Sequence, residues 1–219
     1  MEIRNRFKNF GGNYIPDIIE YLREYINQYP DVTISVGCDS IQRRRKTIYA
    51  ITIMLYRNSI KSGAHVVFFR ESVTKVKDNK DRLDKEALYC YEVGQYLHDN
   101  LKEFYERKDL TDFERRRYKY HLLKCMGEYS HVSPLNEHGV IKNLSLTDED
   151  TAISTMLVDL HLDYNPQEGI IDEKKKTYKN KSYASYKEHA GWIRSAGYRV
   201  WVKPLGYAST SAADLLLES

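Results

Sequence analysis

The spacing of hydrophobic positions changes along this chain, and each change marks a new element. Residues 16–29 (PDIIEYLREYINQY) put Ile18, Ile19, Leu22 and Ile26 at helical spacing behind Pro16, which suits a first helical position. Tyr29-Pro30 ends that helix, because the residue before a proline is pushed out of the helical region. Residues 32–38, 48–56 (IYAITIMLY) and 65–70 (HVVFFR) follow as apolar runs rich in β-branched and aromatic residues. Short polar connections at 41–46 and 58–63 join them, which predicts an antiparallel meander. Residues 81–105 carry the longest helical pattern, with Leu83, Ala87, Tyr91, Leu97 and Leu101 on one side. Gly94 inside it is unfavourable in a helix and points to close packing.

The second half alternates helix and strand. Residues 106–150 are the most polar stretch: Thr111 to Glu114 form a capping box before a basic helix reaching about Met126, and 130–150 read as loop. In 153–164 (ISTMLVDLHLDY) Val158, Leu160 and Leu162 alternate with Asp159, His161 and Asp163, the period of a strand. A polar, Lys-rich connection covers 165–180, and a helix over 183–196 ends at Gly197. A short strand at 198–202 leads to a last helix, 210–217, capped by Ser209. The fold class is therefore α/β. A mixed five-stranded sheet, three antiparallel strands and then α-β alternation, is flanked by helices, with an extra helix in front. The whole chain, 1–219, reads as a single domain carrying an insertion at about 106–150.

Composition narrows the class. The chain is 42% hydrophobic and 30% charged, a globular balance, and no apolar run approaches the ~18–20 residues that span a bilayer. The opening residues lack the apolar core of a secretory signal. Cys38, Cys90 and Cys125 are odd in number and widely spaced, which predicts free thiols in a reducing, cytoplasmic setting. The 19 tyrosines are scattered and read mainly as packing residues. A formal charge of +3 excludes a polycationic coat for nucleic acid but not a local basic track. No GxxxxGK[ST], GxGxxG or GxSxG segment is present, so nucleotide-loop, dinucleotide and hydrolase-elbow chemistries have no support.

Four carboxylates stand at positions suited to chemistry. Asp39 follows the first strand, Asp163 ends the fourth, Glu86 lies in the first turns of the long helix and Asp214 lies in the last helix. Oxygen ligands carried by rigid strand ends suit hard cations, Mg²⁺ or Mn²⁺. Two such ions ~3.5–4 Å apart activate water for phosphodiester hydrolysis. Spacing alone leaves open that Asp39 caps a turn and that Asp214 is a solvated helix residue.

The segments GCDSI (37–41), LHLDYN (160–165) and GYRVWVKPLGYASTSAADLL (197–216) resemble the RNase H-like YkuK family. The resemblance covers most of the chain in order and is densest in those three segments. It implies an RNase H-like fold and a two-ion Mg²⁺ or Mn²⁺ centre. Asp39 matches the acid after the first strand, Asp163 the acid of the H-x-D at the fourth, and Asp214 the acid of the tail. Lys203-Pro204 matches the K-P pair. Glu86 answers to the helix acid, with Glu71, Asp84 and Glu92 as neighbouring alternatives. Cys38 replaces a usual Thr, and 106–150 exceeds the compact family form.

The implied function is metal-dependent cleavage of nucleic acid, DNA or RNA, by Asp39, Glu86, Asp163 and Asp214. The alternative is a catalytically silent module of the same fold that binds nucleic acid or a protein partner. Arg43, Arg44, Arg45 and Lys46 in the first hairpin, with Lys203, are expected to meet a phosphate backbone. The runs 115–119 and 174–181 are further basic stretches, the former suited equally to a protein partner through the insertion. Asp159 and His161 read as hydrogen-bonded neighbours of Asp163, and His189 as a surface residue. Two divalent ions would neutralise the four carboxylates, leaving about +7 on the rest of the chain.

Overall fold

The computed structural model describes residues 3–29, 32–57, 64–101, 158–166, 169–172, 175–179, 182–203, 206 and 208–218. The insertion at 106–150, with its basic run 115–119 and Cys125, lies outside the described residues, as does 153–157.

Asp17 starts helix α1 (Ile18–Gln28): its Oδ1 accepts from the backbone N–H of Ile19 at 2.9 Å and of Glu20 at 3.4 Å. The cap is therefore Asp17, with Pro16 just outside. Ile18, Ile19, Leu22 and Ile26 form the buried stripe that their spacing predicts.

Six strands make the main sheet: β1 (Lys8–Asn9), β2 (Val32–Arg43), β3 (Lys46–Arg57), β4 (His65–Thr74), β5 (Val158–Leu162) and β8 (Arg199–Trp201), in the order β1-β4-β3-β2-β5-β8. The meander β2-β3-β4 is antiparallel, and β5 and β8 add in parallel beside β2. This is the predicted mixed sheet with one more strand. The addition is β1, a two-residue edge paired with Phe68 and Val67 of β4. Two residues are too few to show a period, so the pattern could not announce it. A separate ribbon, β6 (Gly169–Asp172) and β7 (Lys175–Lys179), occupies part of the expected polar connection.

Helix α2 (Asn79–Asn100), capped by Asp78, and helix α3 (Tyr183–Ser195) join α1 in the main core with Ile34, Val36, Ile51, Ile53, Val67 and Leu160. Gly94 lies where α2 crosses β5: a Cβ there would come within 2.6 Å of Leu160 Cδ2, the close packing its position implied. Behind α3, Tyr164 is fully buried. Its hydroxyl donates to Leu83 O at 2.7 Å and meets His189 Nδ1 at 3.0 Å. His189 is thus a buried, hydrogen-bonded residue and not a surface one, because α3 turns that side inward over Tyr164.

The C-terminal segment departs most from expectation. In place of one capped helix, residues Ala208–Ala213 form a wide π-type turn, and α4 (Asp214–Glu218) follows. The sheet itself explains the shape. Thr52 Oγ1 donates to Ala208 O at 2.8 Å, and Ala208 N–H donates to His161 Nδ1 at 3.1 Å. Ser209 Oγ turns back to Gly206 O at 2.9 Å and so does not cap α4. Ala213, Leu216 and Leu217 then pack on Ala50 and Phe68 as a second, smaller core.

Gly37 makes that approach possible. A Cβ at 37 would stand 2.4 Å from both Ala208 C and Ser209 N, and backbone cannot yield as a flexible side chain can. Gly37→Ala is therefore expected to destabilise the fold by about 2–3 kcal/mol, measured by urea denaturation. It should also lift Asp214 away from the sheet. An unchanged midpoint would show that the tail does not rest on β2.

Candidate carboxylate site

β2 is longer than its apolar run suggests. It continues through Asp39 to Arg43, because the hairpin ladder with β3 persists to Arg43↔Lys46. Asp39 therefore lies within a strand, opposite Ala50, and not after one. On its other side the parallel ladder to β5 ends at Cys38↔Leu162. Asp39 and Asp163 are the next residues on these adjacent strands, which run roughly 4.8 Å apart. The end of β5 opens the sheet beside Asp39.

Side-chain alternation delivers groups to that opening from both faces. Gly37, Asp39 and Ile41 share the face covered by the C-terminal turn and α4; Ile41 packs on the smaller core. Ser40 points the other way and donates from Oγ to Glu86 Oε1 at 2.6 Å. Glu86, in the second turn of α2, is buried at 2% exposure. Arg82, one turn earlier, reaches Glu86 Oε1 at 2.9 Å, Ser40 Oγ at 2.7 Å and Ser40 O at 3.1 Å. One oxygen of Glu86 is thus fixed twice over. Its Oε2 is buried and has no hydrogen-bond partner among the described residues, and the same holds for Asp163 Oδ1.

The electrostatics tie the four acids together. Burial, then the negative charges of Asp163 and Asp214, push the Asp39 carboxyl up to about 6, although the N–H of Ser40, donating to Oδ1 at 2.7 Å, opposes the shift. Burial and the charge of Asp39 push Glu86 up to about 8 against the pull of Arg82. Asp214, the first residue of α4, is exposed. Among the alternatives, Asp84 of α2 pairs with Lys80 at 2.9 Å and faces His189 at 3.4 Å, and Glu71, which lies on β4 and not on the helix, pairs with Arg6. Glu86 is the one that is buried and held against β2 beside Asp39.

All four donors are carboxylates, the chemistry that hard divalent cations prefer. Two buried oxygens without partners among the described residues, and two carboxyls pushed up by burial and neighbouring negative charge, suit such a cation. In this arrangement, however, no three Asp, Glu, His or Cys side chains among the described residues already close into a ligand shell. A cation would have to draw the carboxylates together.

The other expected residues divide. Asp159 and His161 are held by hydrogen bonds, as expected: Asp159 accepts from Arg199 Nε at 2.6 Å and Trp201 Nε1 at 3.1 Å. Arg44, Arg45 and Lys46 are exposed at the tip of the β2–β3 hairpin, well beyond Asp39 along the chain. Arg43 instead donates to Leu217 O at 3.3 Å, and Arg70, absent from the sequence reading, donates to Leu216 O. Both guanidiniums hold the end of α4, where cations favour the helix terminus. Lys203 pairs with Asp163 Oδ2 at 2.9 Å. Arg82 and Ser40 were also missed; Arg82 and Glu86 at i, i+4 on a helix were the available signal.

Among the described residues, no helix is long and apolar enough to cross a membrane. No curated protein and no solved structure matches the chain. Residues 15–115 match the family described as Ribonuclease H-like, a stretch holding the meander, Asp39 and Glu86. That stretch of the chain is thus similar to the Ribonuclease H-like family, and the mixed sheet flanked by helices is consistent with an RNase H-like fold.

Proposed function

We propose that this protein is a metal-dependent nuclease that hydrolyses phosphodiester bonds of nucleic acid at Asp39, Glu86, Asp163 and Asp214. What supports this reading is that acids from the end of β5 and the start of α4 act electrostatically on Asp39 of β2, and Asp39 in turn on Glu86 of α2. Burial, together with the negative charge of neighbouring acids, pushes Glu86 up to about 8 and Asp39 up to about 6. Folding gains nothing from such repulsion, so a bound cation is its natural complement. A pair of Mg²⁺ or Mn²⁺ ions, when bound, supplies Lewis-acid activation of water and neutralisation of the leaving oxygen. Asp39, within β2, and Asp163, just past the end of β5, would anchor them, and Glu86 would offer Oε2 while Ser40 and Arg82 hold Oε1. The exposed Asp214 would close the set from α4. Arg44, Arg45 and Lys46 would meet the phosphate backbone as positioning contacts.

A second reading, a silent module that binds nucleic acid, is favoured by the absence of a ready three-ligand shell among the described residues. Purified protein incubated with labelled single-strand, duplex, hybrid and branched substrates separates the two. The expected result is cleavage with Mg²⁺ or Mn²⁺ that a chelator abolishes. Salt-sensitive binding without cleavage of any substrate would replace the nuclease reading with the silent one.

A further inference from the structure

Lys203 was expected to face nucleic acid, yet its ammonium lies 2.9 Å from Asp163 Oδ2. Its position follows from the sheet. β5 and β8 run parallel with His161↔Trp201 in register, and continuing that register two residues sets Asp163 opposite Lys203. The same continuation from Cys38↔Leu162 sets Asp39 opposite Asp163. Asp39 within β2, and Asp163 and Lys203 just beyond the ends of β5 and β8, thus form one row. The Lys203 backbone is fixed by its N–H donating to Tyr164 O at 3.1 Å, so the side chain starts from a defined point. About half of that side chain is exposed, at 47%, and it is free to swing into solvent. Arg82 is engaged elsewhere, with Ser40, Glu86 and Asn79.

We propose that Lys203 is a built-in counter-ion: its ammonium neutralises Asp163 in the metal-free protein and is displaced when a divalent cation binds. This rests on the cation-binding reading of the carboxylate site and names the residue that tunes it. A flexible, monovalent, half-exposed ammonium is a weak competitor, so a divalent ion can replace it at modest loss. Lys203 is a positioning residue in this scheme: it keeps Asp163 beside Asp39 until the cation arrives.

The test is titration of Mn²⁺ into the full, metal-free chain by calorimetry at pH 8, for wild type, Lys203→Met and Lys203→Arg. Removing the competing charge should tighten Mn²⁺ binding about three- to tenfold in K203M, in line with the weak coupling of a part-exposed pair. K203R should stay near wild type. The metal-free K203M protein should melt lower, and Mn²⁺ should raise its melting temperature by more. A merely structural role would weaken binding, the opposite sign. Equal or weaker binding by K203M, or tightening in K203R as well, would overturn the counter-ion. Absence of Mn²⁺ binding by all three chains would sink the cation site along with it.

Discussion

Asp39→Asn protein should be more stable than wild type at pH 8 when both are metal-free and yet, with Mg²⁺ or Mn²⁺ supplied, cleave nucleic acid at least about a thousandfold more slowly, the scale expected when a group serving the transition state is lost. The two effects share one cause. Asp39 in the folded chain holds its proton up to about 6, against an ordinary value of 3.8, because burial and the charges of Asp163 and Asp214 disfavour the anion. A folded value above the unfolded one means that the native state binds the proton more tightly. The stability this contributes is complete below about pH 4 and lost as pH rises through 6. For Asp39 that gap corresponds to about 3 kcal/mol. Glu86, at about 8, extends the loss to higher pH.

The melting temperature of the metal-free protein is therefore expected to fall between pH 5 and pH 9. Asp39→Asn should flatten the lower part of that slope and Glu86→Gln the upper part. Mn²⁺, which binds the ionised carboxylates, should restore stability at pH 8 and have little effect at pH 5. A melting temperature of the metal-free protein that rises over the same range would contradict the assigned burial and repulsion. Cleavage retained by Asp39→Asn would remove Asp39 from the site.

The second large effect is structural. Asp159→Ala is expected to destabilise the protein by about 3–5 kcal/mol, because it strands a buried guanidinium. Arg199 is 4% exposed, and its Nε donates to Asp159 Oδ1 across the β5–β8 pair at 2.6 Å. Asp159 Oδ2 takes the indole N–H of Trp201 at 3.1 Å, so the carboxylate satisfies two buried donors. Replacing both charged partners, as in Asp159→Leu with Arg199→Met, should recover much of the loss, since paired burial of ions is itself unfavourable. Urea denaturation of the single and double variants measures this. A single variant within 1 kcal/mol of wild type would show that the pair is not buried in solution.

This pair also shows what a residue pattern can convey. Asp159, His161 and Asp163 alternate along one strand and look equivalent in sequence. The structure separates them by their neighbours: Asp159 meets Arg199 and Trp201, His161 accepts from Ala208 N–H, and Asp163 meets Lys203. Each partner comes from the last fifth of the chain, and no local spacing relates those residues to β5. Likewise nothing in residues 37–43 shows that β2 runs on past Asp39, because the extension is decided by ladder bonds to β3.

By itself the sequence determined the meander, the three main helices and the α-β alternation, since period and capping chemistry are local properties of the chain. Helix spacing at Ile18, Ile19, Leu22 and Ile26 carried straight into the buried face of α1. Only the tertiary structure decided how the acids are buried and in what electrostatic state. β5 stops one residue short of Asp39, Ser40 and Arg82 bind one oxygen of Glu86, and Gly37 lets the tail descend to bring Asp214 near. Burial and Coulomb repulsion depend on distances between segments far apart in the chain, and those distances exist only once the sheet has closed around them.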